Sequence, residues 1–154
     1  MYELAEKFEA SIPRIETASP QDIFVWVKNI IAEKEAAGDY RGAQKLRWEL
    51  GNIITETTPG AEHADDAVVI KEGQKIIGAA LLAPGHFVGF FVLPEYQRRG
   101  LGKKLMEEGI ERLLSRGDKK IRIDICDHRT EKIIENLPPE IKKHLNIRED
   151  FLDD

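Results

Sequence analysis

Phe87-Val88-Gly89-Phe90-Phe91-Val92-Leu93, followed by Pro94-Glu95-Tyr96 and then by Gln97-Arg98-Arg99-Gly100-Leu101-Gly102-Lys103, decides how this chain folds. The first seven residues are apolar at nearly every position, the pattern of a strand covered on both faces at the centre of a sheet. From Lys103 to Arg116, Leu105, Met106, Ile110, Leu113 and Leu114 recur at helical spacing and predict an amphipathic helix. A buried strand thus delivers a glycine-containing, doubly basic turn to a helix N-terminus. The first helical N–H groups have no intrahelical acceptor and carry partial positive charge, so such a turn suits a diphosphate. Gly100 and Gly102 lack a Cβ, which would let phosphates approach the main chain closely, and Arg98 and Arg99 add charge at the rim.

Two familiar phosphate loops do not fit. A Walker loop needs Gly-x-x-x-x-Gly-Lys-Ser/Thr, but Gln97 stands at the first glycine and Lys104 at the hydroxyl. A dinucleotide fingerprint needs a third glycine where Leu105 stands. The pattern that fits is Gln/Arg-x-x-Gly-x-Gly/Ala after a strand ending in Val-x-Pro, read here as Phe91-Val92-Leu93-Pro94-Glu95-Tyr96-Gln97-Arg98-Arg99-Gly100-Leu101-Gly102 and continued by Lys103-Lys104-Leu105-Met106. In these residues the chain resembles the GNAT superfamily of acyl-CoA-dependent N-acyltransferases. The resemblance implies acetyl-CoA as co-substrate and direct transfer of its acetyl group to a primary amine of a small molecule or peptide. It implies that Phe91, Val92 and Leu93 meet the pantetheine arm through main-chain groups. The N–H groups of Arg98 or Arg99 through Lys103, with Gln97, Gly100, Leu101 and Gly102 in the same turn, would hold the pyrophosphate.

The rest of the chain agrees with that fold. Tyr2–Ala10 reads as a short helix, and Ile12–Thr17 alternates as a half-buried first strand. Ser19-Pro20-Gln21-Asp22 is a helix start, and Ile23, Phe24, Val27, Ile30 and Ile31 give the helix one apolar face. A second helix is expected from about Tyr40 to Thr55. Ala67–Ile70 and Lys75–Leu82 flank a turn at Lys71-Glu72-Gly73-Gln74, and Pro84-Gly85 turns into the central strand. Lys120–Cys126 alternates, so a strand–helix–strand crossover should set it parallel to its predecessor. The expected fold is therefore an α/β mixed sheet, mostly antiparallel with one parallel crossover, as a single domain over residues 1–154.

The C-terminal third departs from the family pattern. Relatives in the family carry an asparagine after the fifth strand, then a helix with a tyrosine, then two closing strands. Here Asp127 and His128 occupy the first place, no tyrosine follows Tyr96, and Glu140–Asp154 is polar and weakly alternating. A reduced or rearranged end is expected, and an uncovered sheet edge invites pairing, so a homodimer is an open reading.

A general base is sought at His86, eleven residues before Gln97, where some branches of the family place a glutamate or histidine. An imidazole titrating near ~6.5 can take a proton from an ammonium. The competing reading is an idle turn histidine beside Pro84-Gly85. Asp127 and His128 are weaker candidates for the acid that reprotonates the thiolate. Cys126 reads as a buried strand-end thiol rather than a nucleophile. Glu62, His63, Asp65 and Asp66 match no rigid metal spacing and read as a solvated loop. Trp26 and Trp48 fit either the core or the edge of an acceptor cleft.

Composition sets outer bounds. The chain has 154 residues, 42% hydrophobic and 33% charged, enough for one substantial core. No apolar run approaches the ~20 residues of a membrane span, and the mixed, acidic start is unlike an export signal. One cysteine excludes an internal disulfide and agrees with a reducing, cytoplasmic setting. A net charge of −5 gives no general case for nucleic acid. Two alternatives to the enzyme stay open. One is a non-catalytic acyl-CoA-binding or regulatory protein. The other is a protein-interaction module, because Glu35–Arg47 resembles the paired-helix motif of nucleotide-excision repair subunits.

Overall fold

The computed structural model describes residues 12–51, 60–125 and 128–149. The helix expected at Tyr2–Ala10, the last turn expected up to Thr55, and Cys126 and Asp127 lie outside the described residues. Strand β1 spans Arg14–Ala18 and is followed by helices α1, Pro20–Ala36, and α2, Tyr40–Gly51. Strands β2, Asp66–Glu72, β3, Lys75–Ala83, and β4, His86–Val92, come next. Helix α3, Leu101–Ser115, leads to β5, Ile121–Ile125; then come α4, His128–Glu135, the short α5, Pro139–Lys142, and β6, Leu145–Glu149.

Local chemistry sets these boundaries. Ser19 caps α1 by accepting from Asp22 N at 3.2 Å, and Ser19 N donates back to Asp22 Oδ2 at 3.1 Å. This is a reciprocal capping box with Pro20 at the first position. Gly38, at φ 79°, ends the helix, and Asp39 caps α2 by accepting from Gly42 N at 2.9 Å.

The six strands form one sheet in chain order, antiparallel from β1 to β4 and parallel from β4 to β6. The segment read as irregular after Glu140 therefore contains a strand. Only Leu145 and Ile147 among its residues are large apolar groups, and at a sheet edge half of a short strand faces solvent, which dilutes its alternation. Among the described residues one closing strand joins β5, where the family pattern has two.

Helix α3 packs on one face of the sheet and α1 on the other. A Cβ added at Gly109 of α3 would meet Phe87 at 2.6 Å and Leu82 at 3.1 Å, so helix and sheet are in close contact there. On the other face Trp26 lies 6.5 Å from Phe91, ring centre to ring centre, and donates from Nε1 to Ile76 O at 3.2 Å. Trp26 is thus a core residue, whereas Trp48 is 73% exposed. Ala43, Leu46 and Leu50 of α2 are buried, so the α1–α2 hairpin is an integral layer of the fold, clasped further by an Arg47–Glu35 ion pair. Each fully buried Leu or Ile of this core stabilises the fold by roughly 1.5–3 kcal/mol.

Candidate active site

Strand β4 carries candidate groups at both ends. Along β3 its register runs Leu81↔Gly89 and then Leu82↔Phe87, so Val88 is an extra residue, a bulge. Pairing with β5 covers only His86↔Arg122 and Phe87↔Ile123. Beyond the bulge the two parallel strands part, and a wedge opens between their C-terminal ends. Open α/β sheets bind ligands in such a crevice.

Main-chain directions in the wedge follow from one bond. Leu93 N donates to Ile77 O of β3 at 2.9 Å, so by antiparallel alternation Val92 and Phe90 turn their N–H and C=O groups away from β3, into the wedge. Phe91 and Leu93 turn theirs toward β3, and Leu93 O also accepts from Tyr96 N at 2.8 Å. Of the three residues expected along the pantetheine arm, Val92 is thus the one whose main chain faces the gap. The side chain of Phe91 meets Trp26, and that of Leu93 is buried.

After β4 a short 3-10 turn, Pro94–Tyr96, leads into the basic turn. The backbone sign of φ alternates there: Arg98 has φ 67°, Arg99 is negative, and Gly100 has φ 77°. Alternation of this kind gathers successive N–H groups into a concave nest for an anion. A left-handed arginine costs roughly 1–2 kcal/mol, and such strain clusters at functional sites. No side chain caps α3; its N-cap is Gly100, beside which an added Cβ would find nothing within 4 Å. The donors of this helix end therefore open outward.

Gly102 has a different reason to lack a side chain. A Cβ there would meet Phe90 at 3.0 Å and Ile133 at 3.2 Å, so Gly102 lets β4, α3 and α4 pack together instead of opening the turn to phosphate. Leu101 is buried, and Lys103 faces solvent 3.8 Å from Glu107. The Arg99 guanidinium lies over the Tyr96 ring at 5.1 Å. Gln97 spans the turn: Nε2 donates to Val92 O at 2.9 Å, and Oε1 accepts from Arg129 Nη1 at 2.7 Å. Arg129, on α4, was not picked out by its sequence context; its only signal is a basic residue after the fifth strand.

The other end of β4 holds His86. Phe87 faces α3, so His86 and its register partner Arg122 point to the opposite face, shared with α1. Asp124 lies on the same face two residues along β5 and pairs in register with Arg148 of β6. His86 Nε2 stands 3.3 Å from Asp124 Oδ2, and Arg122 Nε donates to Asp124 Oδ1 at 3.1 Å. The His86–Asp124 distance is that of an ion pair without hydrogen-bond alignment, so Nε2 is buried with no hydrogen-bond partner among the described residues. The His86 and Asp124 side chains are 12% and 14% exposed. Burial holds the His86 pKa below its ordinary 6.5; Asp124 pulls it back up, and Arg122 and Arg148 push it down. His86 is therefore a neutral imidazole at pH 7, the form that can accept a proton.

The other candidates separate from this site. His128 is exposed at the start of α4 with Nδ1 3.6 Å from Glu131. Asp65 and Asp66 are engaged by α3: Arg116 donates to both oxygens of Asp65 at 2.6 and 3.0 Å, and Arg112 lies 3.4 Å from Asp66. No helix among the described residues is long and apolar enough to cross a membrane.

The family model for the acetyltransferase (GNAT) family matches residues 28–133. No curated protein matches the chain. The match begins inside α1 and ends inside α4, so it takes in both ends of β4 and leaves β6 outside. A bulged β4 splayed from β5, an uncapped basic turn at α3, and this match over more than half the sequence lead to one conclusion: the chain belongs to the GNAT family of acetyltransferases.

Proposed function

We propose that residues 1–154 form one acetyltransferase domain that uses acetyl-CoA to acetylate a primary amine directly, with His86 as general base. The observation that carries this reading is the placement of two features on one strand. The nest Arg98–Gly100 and the start of α3 lie at one end of β4 and His86 at the other, ~20 Å away along a seven-residue strand, on the scale of an extended pantetheine arm. The N–H groups of Arg99 through Lys103 would hold the pyrophosphate, with Arg98 and Arg99 adding charge. The Val92 N–H, facing the wedge, fits the amide-rich arm, while its C=O already accepts from Gln97.

Acetyl-CoA supplies an acetyl thioester. His86 accepts the excess proton of the ammonium, freeing the nitrogen lone pair. The new C–N bond forms as the C–S bond breaks, and the amine's second proton passes through water to the departing thiolate, which leaves as the thiol. Transfer without an acyl-enzyme requires the amine to reach the vertex where β4 and β5 part, on the α1 face where His86 lies.

A thermal-shift titration with acetyl-CoA, CoA and longer acyl-CoAs tests the site, since a ligand that binds only the native state raises the melting temperature. Thiol release with a panel of small amines and peptides then tests transfer. No shift at saturating CoA would refute the reading. A shift without thiol release from any amine would favour the alternative of an acyl-CoA-binding protein without turnover, toward which the absence of a tyrosine after Tyr96 points.

A further inference from the structure

We propose that Asp124 is a positioning residue for His86: it holds the ring in the tautomer with hydrogen on Nε2, and so leaves Nδ1 as the atom that takes the proton. This rests on the reading of His86 as general base. Three observations converge on it. Nε2, not Nδ1, is the nitrogen 3.3 Å from a carboxylate. Nε2 is buried and has no hydrogen-bond partner among the described residues, an arrangement that calls for an explanation. Asp124 is itself fixed, since Arg122 Nε donates to its second oxygen at 3.1 Å.

The charges around the ring give Asp124 a second task. The charged groups that bear on His86 are Arg122 and Asp124 from β5 and Arg148 from β6. When Nδ1 takes a proton, His86 becomes a cation between two arginines, and among the described residues Asp124 is the anion set against it. The proton count is closed: one proton passes from the ammonium to Nδ1, Nε2 keeps its own and donates to Asp124 Oδ2 after a small turn of the ring, and Asp124 stays ionised throughout.

The experiment uses the full chain labelled with ¹⁵N-histidine. Long-range ¹H–¹⁵N correlation spectra report the tautomer and titration of each imidazole, and His86→Gln identifies the His86 signals. The expected result is the Nε2–H tautomer in the native chain, with that preference lost in Asp124→Asn and Asp124→Ala. In both variants the acid limb of the thiol-release rate should move to lower pH and the plateau should fall about tenfold. Their thermal shift with acetyl-CoA should be unchanged. An Nδ1–H tautomer in the native chain, or a tautomer unmoved by both variants, would overturn the proposal while leaving a loss of activity in His86→Gln to support the base. A moved tautomer with an unchanged rate would overturn it too, by taking His86 out of the chemistry.

Discussion

The two ends of β4 are built in opposite ways. At the C-terminal end the turn proposed to hold the pyrophosphate lies within seven consecutive residues, Gln97–Lys103, and would bind through backbone N–H groups. At the N-terminal end a single histidine gains its character from Asp124, 38 residues later, and from Arg148 beyond that. The first is a contiguous turn built from the backbone. The second is a side-chain cluster that exists only once β4, β5 and β6 lie in register. Under the proposed function the contrast predicts a division of labour, with the turn setting affinity for acetyl-CoA and the cluster setting turnover.

The sharpest way to break this comparison is His86→Ala. Thiol release should fall by ~100-fold or more, while the thermal shift produced by acetyl-CoA stays at its native size. A variant that loses both would merge the two ends into one site. Next in size is Gly109→Ala, which tests the core on the face of the sheet opposite His86. The added methyl enters the Phe87 ring and Leu82, and chemical denaturation should read a loss of roughly 1–3 kcal/mol despite the better helix propensity of alanine. Smaller again is Gly100→Val, which meets no neighbour but forces a β-branched residue to positive φ. Affinity for CoA by calorimetry should drop about tenfold, and the pH profile of turnover in saturating acetyl-CoA should keep its shape.

The smallest effect concerns stability against pH. The His86 pKa is depressed in the fold, so below its ordinary 6.5 the unfolded chain binds a proton that the native chain refuses. Stability should therefore be fully present above that value and fall as pH drops toward the native pKa. His86→Gln should flatten this part of the curve, and denaturation midpoints across that window would reveal it. An unchanged slope in the variant would mean that His86 does not carry the dependence.

Much of this was legible in the sequence because it is local. The apolar run at 87–93, the basic turn and the face of α3 are each written in consecutive or helically spaced residues. The Ser19 cap and the glycine turns are as well. What was hidden depends on register. Nothing in Val88 marks it as a bulge, since the extra residue exists only relative to Leu81 and Leu82. Asp124 looked like the polar half of an alternating strand, and its meaning came from facing His86 across the sheet. Gly102 showed the same limit in another form, because its missing side chain answers to Phe90 and Ile133, which no motif places beside it. The closing strand was missed because five residues with two large apolar groups are too few to show a period against a solvated edge.

Trp26, pressed between α1 and the sheet with its indole bonded to β3, has an optical consequence. It is buried at 8% exposure beside Phe91, whereas Trp48 stands 73% in solvent. The emission of the chain should therefore be a sum of a blue component and a red one. Removing the red one by Trp48→Phe would leave a single fluorophore one residue from the groups that face the wedge, and occupancy of that wedge should register as a change in its spectrum without any attached dye.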